Sequence, residues 1–319
     1  MKSVAKVIKI VLLSITLFAI TIVLLFGYRD IPIEDLKAKY GQGASSFISV
    51  DGMDVHFRDE GDENDTIPVV LIHGTGSSLH TFDQWTHELK DEYRVVRMDL
   101  PGYGLTGPFP SRDYSVHAYV QFIEHFLEAM GISKCVIGGN SLGGHISWRF
   151  TVKNPQMVNK LILIDATGYP FKAKSEPLAF SVAKVPVIKN LFTFITPRFI
   201  ARSSVENIYA DKSKVTAELA SRYFELTLRP GNRQAFVDRF TAKYDEEAYK
   251  QISEISHPTL ILWGDKDLLV PVENAARFHQ DLPNDTLVIL EGTGHVPMEE
   301  SPARSVEAAI SFLRRSGSP

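Results

Sequence analysis

The sequence predicts an α/β protein: a mostly parallel sheet covered by helices on both faces, with an inserted helical piece, behind an N-terminal membrane helix. Three observations predict it. Short runs of Val, Ile and Leu alternate with amphipathic helical stretches, the pattern of strands buried on both faces between crossover helices. The interval 168–250 is far longer than a strand-to-helix connection needs, so an extra unit is inserted there. Residues 10–28, "IVLLSITLFAITIVLLFGY", carry no charge at all.

Taken in order, the first element is that apolar run. At about 1.5 Å rise per residue it reaches roughly 28 Å, close to one hydrocarbon core. Lys2, Lys6 and Lys9 precede it, whereas Arg29 and Asp30 cancel after it. The positive-inside rule then places the N-terminus in the cytoplasm and the remaining chain on the extracytoplasmic side. A cleaved secretory signal is the alternative, but the apolar run exceeds the usual 7 to 15 residues and lacks an A-x-A-like site. Residues 1–29 are thus expected as an anchor and 30–46 as a polar linker. The α/β core should occupy 47–167 and 251–316, and the helical cap 168–250.

The core opens with "FISVDGMDVHFRDEG", where Asp51-Gly52 signals the turn of an antiparallel hairpin. Six buried strands follow: "PVVLI", "RVVRM", "KCVIG", "KLILI", "PTLILW" and "TLVIL". Helical patterns lie near 80–90, 115–130, 142–153 and 273–281, with a last one after Ser301. The insertion holds Phe180, Leu191, Phe192, Phe194, Ile195, Phe199 and Ile200, punctuated by Pro177, Pro186 and Pro197. An apolar subdomain at the strand ends would roof a pocket.

Composition excludes several function classes. The chain has 319 residues, 44% of them hydrophobic and 23% charged, so it can bury a large core. A formal charge of -4 gives no field to attract nucleic acid. One cysteine, Cys135, allows neither an internal disulfide nor a cysteine-based metal site, and its apolar run makes it a buried thiol. No H-E-x-x-H cluster or P-loop lysine occurs, so neither metal nor cofactor is implied.

The chemistry concentrates at "KCVIGGNSLGGHISW". Gly139-Asn140-Ser141-Leu142-Gly143 matches G-x-S-x-G between a buried strand and a helix, the setting of a strained nucleophile elbow. The following helix aims its N-terminal amides at Ser141, which makes the Leu142 amide a donor to a developing oxyanion. A serine hydroxyl needs a base, and the base needs an orienting acid. His295 follows "TLVIL" in the loop "EGTGH", and Asp265 and Asp267 both follow "PTLILW". Either aspartate suits the acid role. The second oxyanion donor is expected at the Thr75 amide in "HGTG", with His73 beside it as a structural residue.

In combination, "HGTGSS", "DLPGYGLT", "GGNSLGG", "WGDKD" and "GTGHVPMEESP" resemble the α/β-hydrolase family from about residue 47 to the last helix. The resemblance implies a mostly parallel eight-stranded sheet with a helical cap after strand 6. It assigns the acid to the end of a G-x-x-D loop, here Asp267, and leaves Asp99 outside catalysis. Ser141 stands where dehalogenases and epoxide hydrolases of this fold carry aspartate. The anchor together with "GNSLGG" is similar to membrane-associated bacterial lipases and esterases and to monoacylglycerol lipase relatives. The expected activity is therefore hydrolysis of carboxylic esters with apolar acyl groups, such as lipid esters. Within the fold, a carbon–carbon bond hydrolase of dienoic acids uses the same three residue types and would need cations, with Arg149, Arg202 and Arg233 as candidates. A perhydrolase is a further variant, and a non-catalytic ligand-binding protein on this scaffold is the reading from another class.

Overall fold

The structure is a computed structural model and describes residues 2–185, 189, 193–243 and 245–315. Eight strands form one sheet: β1 (Ser45–Val50), β2 (Met53–Glu60), β3 (Val69–Ile72), β4 (Val95–Met98), β5 (Cys135–Asn140), β6 (Val158–Ile164), β7 (Thr259–Gly264) and β8 (Asp285–Leu290). Their order is β1-β2-β4-β3-β5-β6-β7-β8. The hairpin at Asp51-Gly52 pairs β1 with β2, and β2 runs antiparallel to β4. Every later pairing is parallel.

The period-2 geometry of a strand sends successive side chains to opposite faces, and here both faces are dry. In β3, Val70 and Ile72 enter one core while Val69 and Leu71 enter the other; in β7, Ile261 and Trp263 oppose Leu260 and Leu262. Helices Val116–Ala129, Leu142–Lys153 and Glu273–Asp281 cover the first face through Phe122, Phe126, Trp148 and Phe278. Asp83–Leu89 and Pro302–Arg314 cover the second through Trp85, Leu89, Val306 and Phe312. This accounts for the unbroken apolar runs.

Helices Leu178–Lys184, Arg198–Ile208, Ala217–Thr227 and Asn232–Arg239 lie between β6 and β7. Pro177 and Pro197 stand immediately before two of them, where a fixed φ suits a helix start. Thr216 caps a third by accepting from the Leu219 amide at 3.1 Å. Phe180 packs on Phe236 and Phe240, whereas Phe194 and Phe199 are 71% and 57% exposed. Pro186, Leu191 and Phe192 lie outside the described residues, as does position 316.

Ahead of the sheet, Lys2–Phe26 is one continuous helix whose large apolar side chains face outward. The 30–46 segment departs from a simple linker. Ile33–Tyr40 is helical because Ile33, Leu36 and Tyr40 recur at helical spacing, and Leu36 buries against Leu105 and Leu226. Lys39 and Tyr40 both reach Glu225, at 2.7 and 2.9 Å. Leu36→Ala should therefore lower stability by about 2–4 kcal/mol, read as a lower urea midpoint of the detergent-solubilised protein. A shift within experimental error would mean the segment does not stabilise the domain.

Candidate active site

Ser141 connects β5, in the middle of the sheet, to the helix Leu142–Lys153 with φ 57° and ψ −113°. Such a conformation costs on the order of 1–3 kcal/mol in a non-glycine residue and needs the surroundings to enforce it. The enforcement is local. The Ser141 amide donates to the Ile164 carbonyl at 3.0 Å, and the glycines let the turn close. A Cβ on Gly143 would stand 2.1 Å from the Ile72 carbonyl oxygen, and one on Gly139 would stand 2.4 Å from the Gly143 carbonyl carbon. The crowd of glycines therefore lets the helix start sit directly on β3 and β5.

Asp267 is buried after β7, and its Oδ1 accepts from the Leu269 and Val270 amides at 2.8 and 2.9 Å. Its Oδ2 lies 2.7 Å from His295 Nδ1. Asp265 does other work: its Oδ1 accepts from the Gly292 and Thr293 amides at 2.6 and 3.3 Å and braces the loop that carries His295. That loop is tied from three sides. The His295 amide donates to the Ile208 carbonyl at 2.8 Å, the Gly294 amide donates to Glu300 at 2.6 Å, and Asn140 Nδ2 donates to the His295 carbonyl at 2.9 Å. Asn140 thus couples the residue before the elbow to the histidine.

Thr75, Ser141 and His295 meet at the wall of one pocket of about 790 Å³. Leu142 opens the helix behind Ser141, and a Cβ on Gly74 would lie 3.2 Å from that of Ser141, so the Thr75 loop packs on the elbow. Phe180, Ile200, Val205, Ile208, Phe236 and Val296 give the pocket its apolar walls. Among the described residues, no Asp, Glu, Lys or Arg lines it. Arg149, Arg202 and Arg233 pair instead with Asp245, Glu206 and Asp30 at 3.4, 2.8 and 2.6 Å.

His73 is structural: Nδ1 donates to the Gly74 carbonyl at 2.8 Å, Nε2 accepts from the Leu100 amide at 2.9 Å, and burial lowers its pKa. A second serine–histidine–aspartate chain exists. His56 bridges Asp99 Oδ2 at 2.7 Å and Ser45 Oγ at 2.9 Å. Ser45 lines neither described pocket, and Asp99 also accepts from the Leu79 and Leu105 amides, both at 2.7 Å. Burial works against the Asp99 charge, but His56 holds its pKa below the ordinary carboxylate range. This constellation pins loops to the hairpin. Cys135 is fully buried, and its thiol is pushed up to about 12 by burial, which leaves it inert.

Residues 67–302 match the family model of the alpha/beta hydrolase fold, and they make up most of the chain. The chain belongs to the α/β-hydrolase family. Its curated relatives include a lipase of Psychrobacter immobilis, 28% identical over 73% of each chain. The 2-hydroxy-6-oxo-2,4-heptadienoate hydrolase of Pseudomonas putida is also 28% identical, over 76% of this chain and 87% of that protein. A solved membrane phospholipase A has a TM-score of 0.69 at 23% identity and covers 98% of both chains, a likeness of fold.

Two buried carboxyls of this α/β hydrolase escape sequence reading. Glu300 holds the His295 loop, and Asp165 ends β6 at φ 44°, fully buried, with Oδ1 accepting from the Gly264 amide at 3.0 Å. Atoms of Asp165, Asp267 and His295 lie within 4.8 Å of one another. Asp267 already engages two amides and His295, and Asp165 Oδ1 is taken, so a cation there would have to displace standing partners. Burial, then the Asp267 charge, raises the Asp165 pKa well above the ordinary value, and Glu300 adds to it. An unfolded aspartate titrates near about 3.9, so the folded state holds a proton that the unfolded state releases at higher pH. The stabilisation is complete below about pH 3.9 and is lost as pH rises toward the folded value. Asp165→Asn keeps an acceptor for Gly264 and gives a donor toward Asp267. Its Tm should exceed that of the unmodified protein by a margin that widens as pH rises above the unfolded value toward the folded one; a margin independent of pH would overturn this assignment.

Proposed function

We propose that the protein is a membrane-anchored serine hydrolase that cleaves carboxylic esters with apolar acyl chains. The observation that carries this reading is the apolar pocket, which no Asp, Glu, Lys or Arg lines among the described residues, with Ser141 and His295 at its wall. In the proposed reaction His295 takes the Ser141 proton as the hydroxyl oxygen attacks the ester carbonyl. Asp267 holds the ring through Nδ1 and balances its charge. The amides of Thr75 and Leu142 receive the oxyanion, each worth roughly 10²–10³ in rate. Collapse breaks the bond to the alcohol oxygen, which leaves with the proton from His295. Water then attacks the acyl-enzyme by the same route and frees the acid and Ser141.

The anchor supports a lipid ester as substrate. Phe26 packs edge-on to Phe199 with ring centroids 6.2 Å apart, Gly27 pairs with Ile195, and Tyr28 packs on Phe224 at 4.9 Å. The apolar helix Val4–Phe26 therefore ends against the roof of the pocket, beside the exposed Phe194 and Phe199. An acyl chain leaving the outer face of the bilayer would meet that roof first. Alkaline carbonate extraction of the expressing cells should leave the protein in the membrane pellet with its N-terminal segment intact by mass. A soluble, shortened form would favour signal cleavage.

A second reading, cleavage of a carbon–carbon bond in a dienoic acid, draws on Arg239. Its charge acts on Tyr103 and His145, and its buried Nε has no hydrogen-bond partner. Arg239 lines neither described pocket, which weighs against this reading. The two readings separate in one experiment: p-nitrophenyl esters from acetate to palmitate against a 2-hydroxy-6-oxo-dienoate, with Ser141→Ala alongside. Ester rates should peak at medium or long chains and fall at least about 10⁴-fold in the variant. Faster turnover of the dienoate would replace the esterase reading.

A further inference from the structure

One cap side chain joins the loop after β3, which carries Thr75, to the short helix that follows His295. Tyr223 lies in the cap helix Ala217–Thr227 and lines the main pocket together with Ser77. Its hydroxyl donates to Glu299 Oε2 at 3.1 Å and stands 3.2 Å from Ser77 Oγ. Glu299 belongs to the helix Pro297–Glu300, immediately beyond the His295 loop.

The chemistry of the partners fixes the direction of these hydrogen bonds. A carboxylate only accepts, so the Tyr223 proton is committed to Glu299, and Tyr223 Oη becomes the acceptor for the Ser77 hydroxyl. Glu299 is held in turn by other cap residues: it accepts from Tyr209 Oη at 2.9 Å and from the Arg222 guanidinium at 2.5 Å. Burial first, and then the Glu299 charge, raises the Tyr223 pKa, so the phenol keeps its proton.

Ser77 closes a tight turn in which Thr75 is the second residue. Its amide donates to the Gly74 carbonyl at 3.2 Å, and Gly76 has φ 77°, the left-handed third position that a type II turn requires. The Thr75 side chain makes a hydrogen bond with the hydroxyl of Tyr103, from the loop after β4. The turn is thus gripped by Tyr103 on one side and by the cap, through Tyr223, on the other.

We infer that Tyr223 is a positioning residue for the oxyanion donor at Thr75: through Ser77 it holds the turn that carries this amide, and through Glu299 it ties that turn to the helix behind His295. Its hydroxyl acts on the turn and not on the substrate. A hydrogen bond weakens steeply when it is misaligned, so a turn released from the cap would lose most where the oxyanion develops its charge. This assignment rests on the ester-hydrolase reading and gives the cap a part in the chemical step.

The test measures p-nitrophenyl octanoate hydrolysis by the full-length protein in detergent, with Tyr223→Phe, Ser77→Ala and the double variant alongside. Rates are counted per site labelled to completion by a fluorophosphonate, so that only folded protein enters. Each single variant should lose about tenfold in kcat, part of the roughly 10²–10³ that a missing donor costs, while KM holds. The double variant should also lose about tenfold rather than about a hundredfold, because both changes break the same link. Ser77→Thr, which keeps the hydroxyl, should retain the rate. An unchanged kcat in Tyr223→Phe, a loss carried by KM, or losses that multiply in the double variant would each overturn the positioning role and leave the esterase reading standing. An unmodified protein that hydrolyses no ester defeats both.

Discussion

The whole arrangement depends on one backbone turn, the positive-φ link at Ser141 between the central strand and its helix. It is tolerable only because Gly143 and Gly139 bring no side chain into the gap against Ile72. With the turn closed, the serine stands at the carboxyl end of β5, between β3 and β6. The loops after β3, β7 and β8 then converge on it from both sides, as the ends of parallel strands must. A parallel sheet puts all those loops at one edge, and this is how residues scattered from 75 to 295 come to share a pocket.

Convergence alone would leave the histidine loop loose, and the structure ties it to both the core and the cap. Asn140 reaches the His295 carbonyl from the elbow, Ile208 takes the His295 amide from the cap, and Glu300 bridges the Gly294, Ala210 and Asp211 amides. Asn232 performs a similar service at the other side, joining the cap to the loop at Gly104. The cap is therefore fastened at the two places where the pocket walls meet the core. Stability of the site and shape of the pocket come from the same hydrogen bonds.

The chain also shows that connectivity alone does not make a site. Ser45, His56 and Asp99 reproduce the serine–histidine–aspartate linkage at ordinary hydrogen-bond distances. What they lack is a strained serine at a helix start and a concave space in front of it. Ser141 and His295 line the pocket under the inserted helices, and Asp267 stands behind His295 at 2.7 Å from its Nδ1. The difference lies in backbone geometry and cavity shape.

Much of the fold was legible because both faces of the sheet are buried. Unbroken Val, Ile and Leu runs mark such strands, and the hairpin turn, the inserted cap interval and the apolar N-terminal helix are written just as locally. Ser141, His295 and the loop holding Asp265 and Asp267 were legible too, since short motifs encode the turns that display them. Residue types left the two aspartates open and the family resemblance pointed to Asp267, whose carboxylate is the one that reaches His295 across the loop. The helix at Ile33–Tyr40 hid in a charged stretch because its few apolar positions matter only once Leu105 and Leu226 are there to cover them. Asp165, Glu300, Tyr103 and Asn232 were invisible for the same reason. By itself the sequence determined the strands, the turns and the candidate site residues, because these follow from local periodicity and backbone freedom. Only the tertiary structure decided which buried polar groups face one another and which face a cavity, because those contacts join segments far apart in the chain.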